Sequence, residues 1–384
     1  MSENTQENQN NQENPKNIEI FALATDPIYI GTGGYTIGRV DNTIVRDPIT
    51  NIPKIPGSSL AGTWRYYTVL EIHKYFLKDK FRKNKSERKE KLKEFLNDKG
   101  KDKWEDLSDD NEKKEFMKHI FNIEKDWILF EGNRYIGIKC AGQDDAPNEE
   151  IDSERNTGHC GHCIVCKGFG FSKKDISWQG QIFFSDLNIL FFPVFTIKGT
   201  KWITTDSKLK EIGINHINEP PENKILTEEG DEGHLNLGWL YLEVEGEHSI
   251  KDENLNKLAF ENFKLKPEDV IIVPEELFSH IVNSNLEVRT SVSIDPITGA
   301  AKEGALFTSE AIPRGTIFYG NVRIFDKSVF EEIEPKLKPL PNKDELSNAL
   351  KDSKHYYESL GIGGMTTRGF GRLKITSPEW KEER

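Results

Sequence analysis

Four cysteines constrain the fold of this chain more than any other residues do. Three of them follow one another in C-x-x-C-x-x-C spacing within GHCGHCIVCKGFG, and the fourth lies upstream of that segment. Thiolates at this pitch wrap one tetrahedral metal ion, so the chain around them must form a closed knuckle. We therefore predict a structural metal site made by Cys140, Cys160, Cys163 and Cys166.

The metal and its fourth ligand stay open at the level of the sequence. Cys140 is the parsimonious fourth ligand because it uses every cysteine of the chain, while His159 and His162 are alternatives. Structural zinc is the favoured ion. An iron–sulfur cluster is the competing interpretation, although no proline flanks Cys166, and unmetallated thiols are a third. The predicted zinc-binding segment covers residues 140–175.

Length and composition exclude several classes of protein. The 384 residues contain no apolar run near the ~18 that a membrane span requires, so we expect no membrane partner. Residues 1–16 are rich in Asn, Gln and Glu, which predicts a disordered tail, and a second tail is expected at 377–384. The N-terminus has neither a basic start nor an apolar stretch, which predicts a cytoplasmic protein with reduced thiols. The net charge of −12 argues against indiscriminate nucleic-acid binding but permits a local basic groove.

Strand-like runs separated by Gly- and Pro-rich turns predict an α+β fold, with long insertions on a compact antiparallel sheet. FFPVFTIKGTKWITT predicts two core strands around a turn, and LEVRTSVSI alternates at period 2 as one strand of a long hairpin. A helix is expected from Ser58, where Ser58 or Ser59 can cap it. We predict one domain over 17–376 with a charged helical insertion at 78–118, the zinc-binding segment at 140–175, an elaborated region at 206–280 and a hairpin at 284–322.

Two glycine-containing segments are candidate phosphate sites. IPGSSLAGTWR places Gly57, Ser58 and Ser59 at a helix start, where unpaired N–H groups and the helix dipole favour anions, and Arg65 lies two turns on. Ordinary helix capping is the alternative. GIGGMTTRGFGR, at residues 361–372, combines glycines with Thr and Arg donors and suits a phosphodiester chain, although a simple tight turn is the alternative.

The remaining motifs exclude more than they assign. GTGGYTIGR, at residues 31–39, is not followed by a helix, so it is not a dinucleotide fingerprint, and the chain has no Walker motif. The acids Asp26, Asp41 and Asp47 have no nearby histidine, which gives a Ser-His-Asp triad no local support. A loop carboxylate of this kind either assists a metal-aided attack on a phosphodiester or caps a turn.

The order of these motifs resembles the RAMP superfamily over residues 18–376. The resemblance is carried by G-T-G-G…V-D-N-T-I-V-R-D…I-P-K-I-P-G-S-S-L-A-G-T-W-R, C-I-V-C-K-G-F-G, F-F-P-V-F-T-I-K-G-T-K-W-I-T-T, E-V-R-T-S-V-S-I-D-P-I-T-G-A-A-K-E-G-A-L-F-T-S-E-A-I-P and G-I-G-G-M-T-T-R-G-F-G-R. Within the superfamily the chain is similar to the backbone subunit of type III-B (Cmr) CRISPR complexes. Ala61 and Phe195 replace basic residues that are usual there, which leaves type III-A and III-D subunits open.

The resemblance implies a ferredoxin-like (RRM-like) palm and a β-hairpin thumb at 284–322 that wedges between guide and target RNA. It further implies a CRISPR guide RNA, a complementary target RNA, copies of the chain in a filament and other type III subunits as partners. Asp41 matches the aspartate beside which the target is cut, with Mg²⁺ or another divalent ion offsetting charge. A non-catalytic RAMP scaffold and an unrelated zinc-stabilised enzyme are the alternatives.

The expected RNA-binding residues are basic, hydroxyl-bearing or glycine residues of these motifs. They are Arg39, Arg46, Lys54, Gly57, Ser58, Ser59, Arg65, Lys198, Lys201, Arg289, Gly363, Gly364, Thr366, Thr367 and Arg368.

Overall fold

The structure is a computed structural model of the chain. It describes residues 15–33, 40–76, 85–101, 123–142, 158–173, 176–215, 218–230 and 233–381, together with 112, 114, 115 and 118. Most of the predicted N-terminal tail, Arg39, the last three residues of the predicted C-terminal tail and much of the predicted insertion at 78–118 lie outside these residues.

The bounds of the strands are β1 Lys16–Ala24, β2 Lys54–Ile55, β3 Phe171–Lys173, β4 Ile176–Trp178, β5 Ile182–Phe184, β6 Leu187–Thr196, β7 Gly199–Thr204, β8 Lys224–Thr227, β9 Gly233–Leu237, β10 Leu240–Glu247, β11 Val270–Ile272, β12 Glu287–Ile294, β13 Ala301–Ala311, β14 Ile317–Ile324 and β15 Leu373–Thr376.

The bounds of the α-helices are α1 Gly57–Phe76, α2 Lys85–Asp98, α3 Ile164–Phe169, α4 Asp206–Glu211, α5 Asp252–Leu255, α6 Glu275–Ser284, α7 Phe330–Ile333, α8 Lys343–Ser353 and α9 Tyr356–Ser359. Short 3-10 helices cover Asp126–Leu129, Glu131–Tyr135, Ile138–Ala141, Asn256–Leu258, Pro267–Asp269, Pro335–Leu337, Thr366–Arg368 and Pro378–Trp380. Within the described part of the chain, no helix is both long and apolar enough to span a bilayer.

The chain divides into two compact units. The first takes in the described residues of Met1–Asn17, Ala61–Phe183 and Arg323–Lys354. The second takes in those of Ile18–Leu60, Phe184–Val322 and His355–Arg384. Helices predominate in the first unit and strands in the second, so the α+β fold class is confirmed. The predicted boundaries of one domain with insertions stay predictions.

A large mixed sheet organises the second unit. Its strands follow the order β15-β1-β14-β6-β7-β11-β8-β10-β9, and β2 also pairs with β6. The two core strands predicted around a turn are confirmed as β6 and β7, which pair antiparallel with Phe192 opposite Ile203. Farther along the sheet, β7 and β11 are parallel, as are β8 and β10. An apolar cluster is buried against this sheet. It includes Phe21 and Phe191 of the strands, where alternate side chains point to the same side, and Leu258 of a short 3-10 helix.

The predicted hairpin is present in the second unit but is shorter than expected. β12 and β13 pair only with each other, with Thr290 opposite Thr308. The segment that was predicted to continue the returning strand to residue 322 instead ends at Ala311, and β14 joins the large sheet. The reason is a turn at Pro313, whose carbonyl accepts the Thr316 hydroxyl at 2.8 Å.

In the first unit, α1 packs against α8 through side chains that also satisfy their polar groups. Trp64 is fully buried, and its Nε1 donates to the Leu350 carbonyl at 3.1 Å. One turn later the Thr68 hydroxyl lies 3.2 Å from that of Ser353. The pairing of an indole and a hydroxyl with α8 avoids the cost of leaving buried donors without partners.

Candidate functional site

The four predicted metal-binding cysteines come together in the first unit. Their sulfur atoms all lie within 4.8 Å of one another, and Cys160 Sγ is 3.9 Å from Cys166 Sγ. Sulfurs at the corners of a tetrahedron around zinc are about 3.8 Å apart for Zn–S bonds of ~2.3 Å. The set is closed, soft and mostly buried, so these residues fit a structural zinc ion.

The backbone of the knuckle is arranged around the sulfurs. The N–H groups of Cys163 and Cys166 donate to Cys160 Sγ and Cys163 Sγ, at 3.3 and 3.4 Å. Asn133 is fully buried, and its Oδ1 accepts the N–H of Ile164 at the start of α3. Burial raises the pKa of the Cys163 thiol, whereas hydrogen bonds from the neighbouring thiols lower the pKa of Cys140. The four thiols therefore do not ionise independently, and a cation would offset their combined charge.

Arg65 holds this knuckle, although the sequence placed it among the RNA contacts. Its Nε donates to the Cys140 carbonyl at 2.7 Å, and its Nη1 donates to the Gly170 carbonyl at 2.8 Å. Its Nη2 lies 3.0 Å from Nδ1 of His159. This pairing occupies one ring nitrogen of the alternative ligand His159. The guanidinium thus joins the Cys140 segment to the segment that carries the other three cysteines.

The Asp41 loop, defined as residues 40–47, lies in the second unit. Asp41 is exposed, and its Oδ2 accepts both the N–H and the hydroxyl of Thr308, at 2.7 and 2.9 Å. The N–H of Thr308 is the main reason that the pKa of the Asp41 carboxyl lies below its usual value, and the hydroxyl adds to the effect. Asp41 is therefore a carboxylate that stays ionised, presented to solvent beside the hairpin.

The Asp41 loop and the glycine-rich segment both donate hydrogen bonds to neighbouring residues, Ile30 and Tyr29, within the second unit. Val45 N donates to the Ile30 carbonyl at 2.9 Å, and Gly364 N donates to the neighbouring Tyr29 carbonyl at 3.0 Å. A Cβ added to Gly363 would lie 2.2 Å from the Tyr29 carbonyl oxygen, at a φ of +80°. The contact with Tyr29 therefore requires a glycine at position 363. The sequence analysis had explained the same glycine by the close approach of a phosphodiester. Thr366, Thr367 and Arg368 form a short 3-10 turn beyond it.

The base of the hairpin carries the predicted residue Arg289. Its guanidinium carbon lies 4.5 Å from the centre of the Phe370 ring, and Nη1 donates to the Gly369 carbonyl at 3.3 Å. Its Nε donates to Glu287 at 2.5 Å. Arg289 therefore attaches the hairpin to the glycine-rich segment.

The start of α1 differs from the predicted anion site. Oδ1 of Asp186 accepts the N–H of Gly57 at 2.7 Å, and Oδ2 of the same residue lies 2.7 Å from Lys54 Nζ. Burial raises the pKa of Asp186, but the hydrogen bonds from Lys54 and Gly57 outweigh burial and lower it. A carboxylate of the chain thus accepts the Gly57 N–H, while Ser58 is exposed and Ser59 half-buried. The assignment of these three residues to RNA binding stays a prediction.

Three other predicted RNA contacts have partners within the second unit. Arg46 donates Nε to Asn283 Oδ1 at 3.0 Å and forms a 2.7 Å ion pair with Glu310. Lys198 pairs with Glu229 at 3.4 Å, and Lys201 donates to the Glu268 carbonyl at 2.8 Å. The two lysines line a cavity of about 340 Å³ that also contains acidic side chains, namely Glu228, Glu229, Glu268 and Asp269. Their assignment as RNA contacts stays a prediction.

Asp186 and Thr308 are the residues that the sequence did not reveal. Asp186 lies 129 residues from Gly57, and Thr308 lies 267 residues from Asp41. The period-2 pattern of the hairpin would have placed Thr308 on one of its faces, but not opposite Asp41.

Two proteins of CRISPR systems are similar to parts of the chain. The chain is 25% identical over 264 residues to the CRISPR system Cmr endoribonuclease Cmr4 of Pyrococcus furiosus, covering 60% of this chain and 78% of that protein. It is 41% identical over 54 residues to the CRISPR system Cms endoribonuclease Csm3 of Methanothermobacter thermautotrophicus, covering 14% of this chain and 22% of that protein.

Solved structures resemble the chain more distantly. A crystal structure of Cmr4 aligns with a TM-score of 0.48 at 17% identity, covering 95% of this chain and all of that one. The type III-B Cmr-beta complex bound to cognate target RNA gives a TM-score of 0.47 at 15% identity, covering 95% and 98% of the respective chains.

The family itself follows from the sequence profile of the RAMP superfamily, which matches residues 22–374. This match contains the Asp41 loop, the cysteine knuckle, the hairpin and the glycine-rich segment. The resemblance inferred from the motifs is confirmed, and the chain belongs to the RAMP superfamily.

Proposed function

We propose that this chain is a guide-RNA-binding backbone subunit of a type III-B CRISPR complex and that it cuts complementary target RNA beside Asp41. The observation that carries the proposal is the exposed, ionised Asp41 carboxylate held at a hairpin in a RAMP chain. The similarity to the Cmr endoribonuclease of Pyrococcus furiosus supports the same reaction.

The proposed palm is ferredoxin-like. Along the chain, β1, α1, β6, β14, α8 and β15 follow in β-α-β-β-α-β order, and four of these strands are neighbours in the sheet order β15-β1-β14-β6. The zinc-binding segment is then an insertion between the first helix and the second strand of the palm. Zinc bound by Cys140, Cys160, Cys163 and Cys166 would be structural, because four protein ligands leave no open position for substrate.

The proposed thumb is the hairpin of β12 and β13. Three large apolar side chains near its end are strongly exposed, namely Ile294 at 62%, Ile297 at 92% and Leu306 at 66%. Asp295 holds the turn at the end by accepting the N–H groups of Ile297 and Thr298, at 2.8 and 3.0 Å. Apolar side chains inserted between base steps unstack nucleic acid, so this end suits a wedge between guide and target strands.

The proposed reaction is attack by the target's own 2′-oxygen on the adjacent phosphorus. The new O–P bond forms as the bond from phosphorus to the 5′-oxygen breaks, which leaves a 2′,3′-cyclic phosphate and a 5′-hydroxyl. The 2′-OH loses its proton and the 5′-oxygen gains one. A divalent cation such as Mg²⁺ would supply charge stabilisation at the phosphate.

Asp41 is better suited to hold a cation or to orient the 2′-OH than to remove its proton. A general base works best when its pKa is near the working pH, and that of Asp41 is lowered below an already acidic value. The strand kinked by the thumb would bring the 2′-oxygen in line with the breaking bond.

The test uses the complete complex assembled with a guide of known sequence. End-labelled target RNA that complements the guide is incubated with Mg²⁺ or with EDTA, beside a scrambled target of equal length. We expect cuts only in the complementary strand and only with Mg²⁺, with cyclic phosphate ends. A complementary target that is bound but stays intact with Mg²⁺ would mean a scaffold without nuclease activity.

A further inference from the structure

Three hydrogen bonds connect Thr308 and Asp41. Its N–H and its hydroxyl both donate to Oδ2 of the carboxylate, at 2.7 and 2.9 Å. The same hydroxyl oxygen accepts the backbone N–H of Asp41 at 3.1 Å. The single hydroxyl proton and one lone pair are thereby both used on Asp41, so the side chain fixes the backbone and the carboxylate of one residue together.

The contacts that follow this pair along both segments keep the Asp41 loop in register with β13. Asn42 N donates to the Thr308 carbonyl, and Glu310 N donates to the Asn42 carbonyl, both at 3.0 Å. Asn42 is the parallel bridge partner of Ser309. Farther along the loop, Arg46 and Glu310 form an ion pair whose side chains are largely shielded from solvent. The loop is therefore laid along the hairpin strand over several residues.

We propose that Thr308 is a positioning residue for the cleavage reaction: its hydroxyl pins Oδ2 of Asp41 so that Oδ1 faces the scissile phosphate. This inference rests on the proposed function. Both hydrogen bonds that Thr308 donates end on Oδ2, and in this proposal Oδ1 is the oxygen that meets a cation or the 2′-OH.

The strand β13 connects the apolar end of the hairpin to the proposed cleavage residue Asp41. β13 provides the apolar Leu306 toward the hairpin end and Thr308 next to Asp41, two residues apart on the same strand. Residues at i and i+2 of a strand point to the same face. Seating the hairpin in the RNA duplex would therefore also place the Asp41 carboxylate against the displaced target backbone.

The experiment compares variants of the complete complex loaded with guide RNA. Thr308→Val keeps the shape of the side chain but removes two of the three hydrogen bonds, while Thr308→Ser keeps the hydroxyl. Thr376→Val makes the same change on β15 and serves as a control. Single-turnover cleavage rates are measured at saturating target, with target affinity and thermal melting in parallel. Wild type and Asp41→Ala are run in the same series.

We expect Thr308→Val to cleave about 10- to 100-fold more slowly, because small misplacement of a reacting group has costs of this order. Its target affinity and melting should match wild type, and Thr308→Ser should cleave within about threefold of wild type. A purely structural role would lower melting and target affinity together.

Two further results would overturn the inference while leaving the proposed function intact. In the first, Asp41→Ala is inactive but Thr308→Val cleaves at the wild-type rate. In the second, Thr308→Ser loses as much activity as Thr308→Val, so that the hydroxyl is not the group that matters. A wild-type complex that binds target without cutting it would remove the proposed function and this inference together.

Discussion

At the scale of single residues, a basic side chain indicates an RNA contact only when its hydrogen-bond and ion-pair partners are also known. Arg65 and Arg46 are both predicted RNA contacts, and in the structure each guanidinium also donates to groups of its own unit. For Arg65 the partners are two carbonyls and a histidine around the cysteine knuckle. Its fork geometry is what lets one residue reach both segments.

We predict that Arg65→Lys weakens zinc binding by about 10- to 100-fold, the usual effect of losing a group that orients metal ligands. A lysine ammonium cannot reach the Cys140 and Gly170 carbonyls together. Competition with a chromogenic chelator measures the affinity, and Arg314→Lys, at an exposed site, is the control. Loss of guide RNA with normal zinc retention would instead support the predicted role of Arg65 as an RNA contact.

The pKa of Asp41 predicts the acid side of the pH–rate profile. A carboxylate whose pKa is depressed stays ionised above its usual value of about 3.9 and loses its charge only when the pH falls through the lower folded value. We therefore expect the cleavage rate to rise from about pH 6 to about pH 8 as more of the 2′-OH ionises. No step in this pH range should come from titration of Asp41. A limb near neutral pH that disappears in Asp41→Asn would identify Asp41 as a general base.

At the scale of elements, the sequence predicted local patterns but not their partners. The hairpin, the pair β6 and β7, and the cysteine knuckle were each readable because the pattern lies within a few neighbouring residues. The group that accepts the first N–H of α1 could not be predicted in this way, because Gly57 donates to Asp186, which lies 129 residues farther along the chain. A Cβ at residue 57 would also lie 2.8 Å from the Phe184 carbonyl oxygen, which explains the glycine without any phosphate.

The candidate site likewise contains one residue that a local motif indicated and one that it did not. Asp41 was assigned from its motif, and that role stays a prediction; the structure shows that the carboxylate is exposed and that its pKa is lowered. Thr308 was missed because strand pairing across 267 residues cannot be read from local periodicity. Three-dimensional proximity, rather than residue type, decides which side chains share a site.

The cysteine knuckle predicts the effect of metal removal. We expect about one zinc per chain by elemental analysis, and chelation should lower the melting temperature of the first unit by roughly 5–11 °C. The reasoning is that ligand at about 100 times its dissociation constant adds about 2.7 kcal/mol, and each kcal/mol corresponds to roughly 2–4 °C at this size.

Cys163→Ser should reproduce the chelated state, since Cys163 is fully buried among the sulfurs. Iron in place of zinc would point to the cluster interpretation. Unchanged melting after complete removal of metal would show that the thiols pack without an ion.

At the scale of the whole molecule, an acidic chain can bind a polyanion only through local basic surface. The net charge is −12, and Lys198 and Lys201 share their surroundings with acidic side chains. Arg368 differs, because it is exposed on the glycine-rich turn and, in the part of the chain that the structure describes, its side chain has no ion pair. Neutralised lysines release few counterions on RNA binding.

We predict that Arg368→Ala weakens guide RNA binding and reduces the slope of log K against log salt by about 1. Lys201→Ala, at another predicted RNA contact, should change both quantities less than Arg368→Ala does, because its ammonium already interacts with Glu268 and Asp269. Filter binding across a salt series measures both. Equal losses in the two variants would place the RNA along the lysine-lined cavity as well.

The measurement that tests the central claim most directly is the cut pattern of end-labelled target RNA in the assembled complex, with wild type beside Asp41→Asn. Asp98→Asn, an exposed residue at the end of α2, changes the net charge equally and is the control. If Asp41 is the carboxylate at the cleavage site, wild type and the control should give a ladder of evenly spaced cuts. Asp41→Asn should retain its affinity for the target but cleave at least ~100-fold more slowly. An undiminished ladder in Asp41→Asn would contradict it.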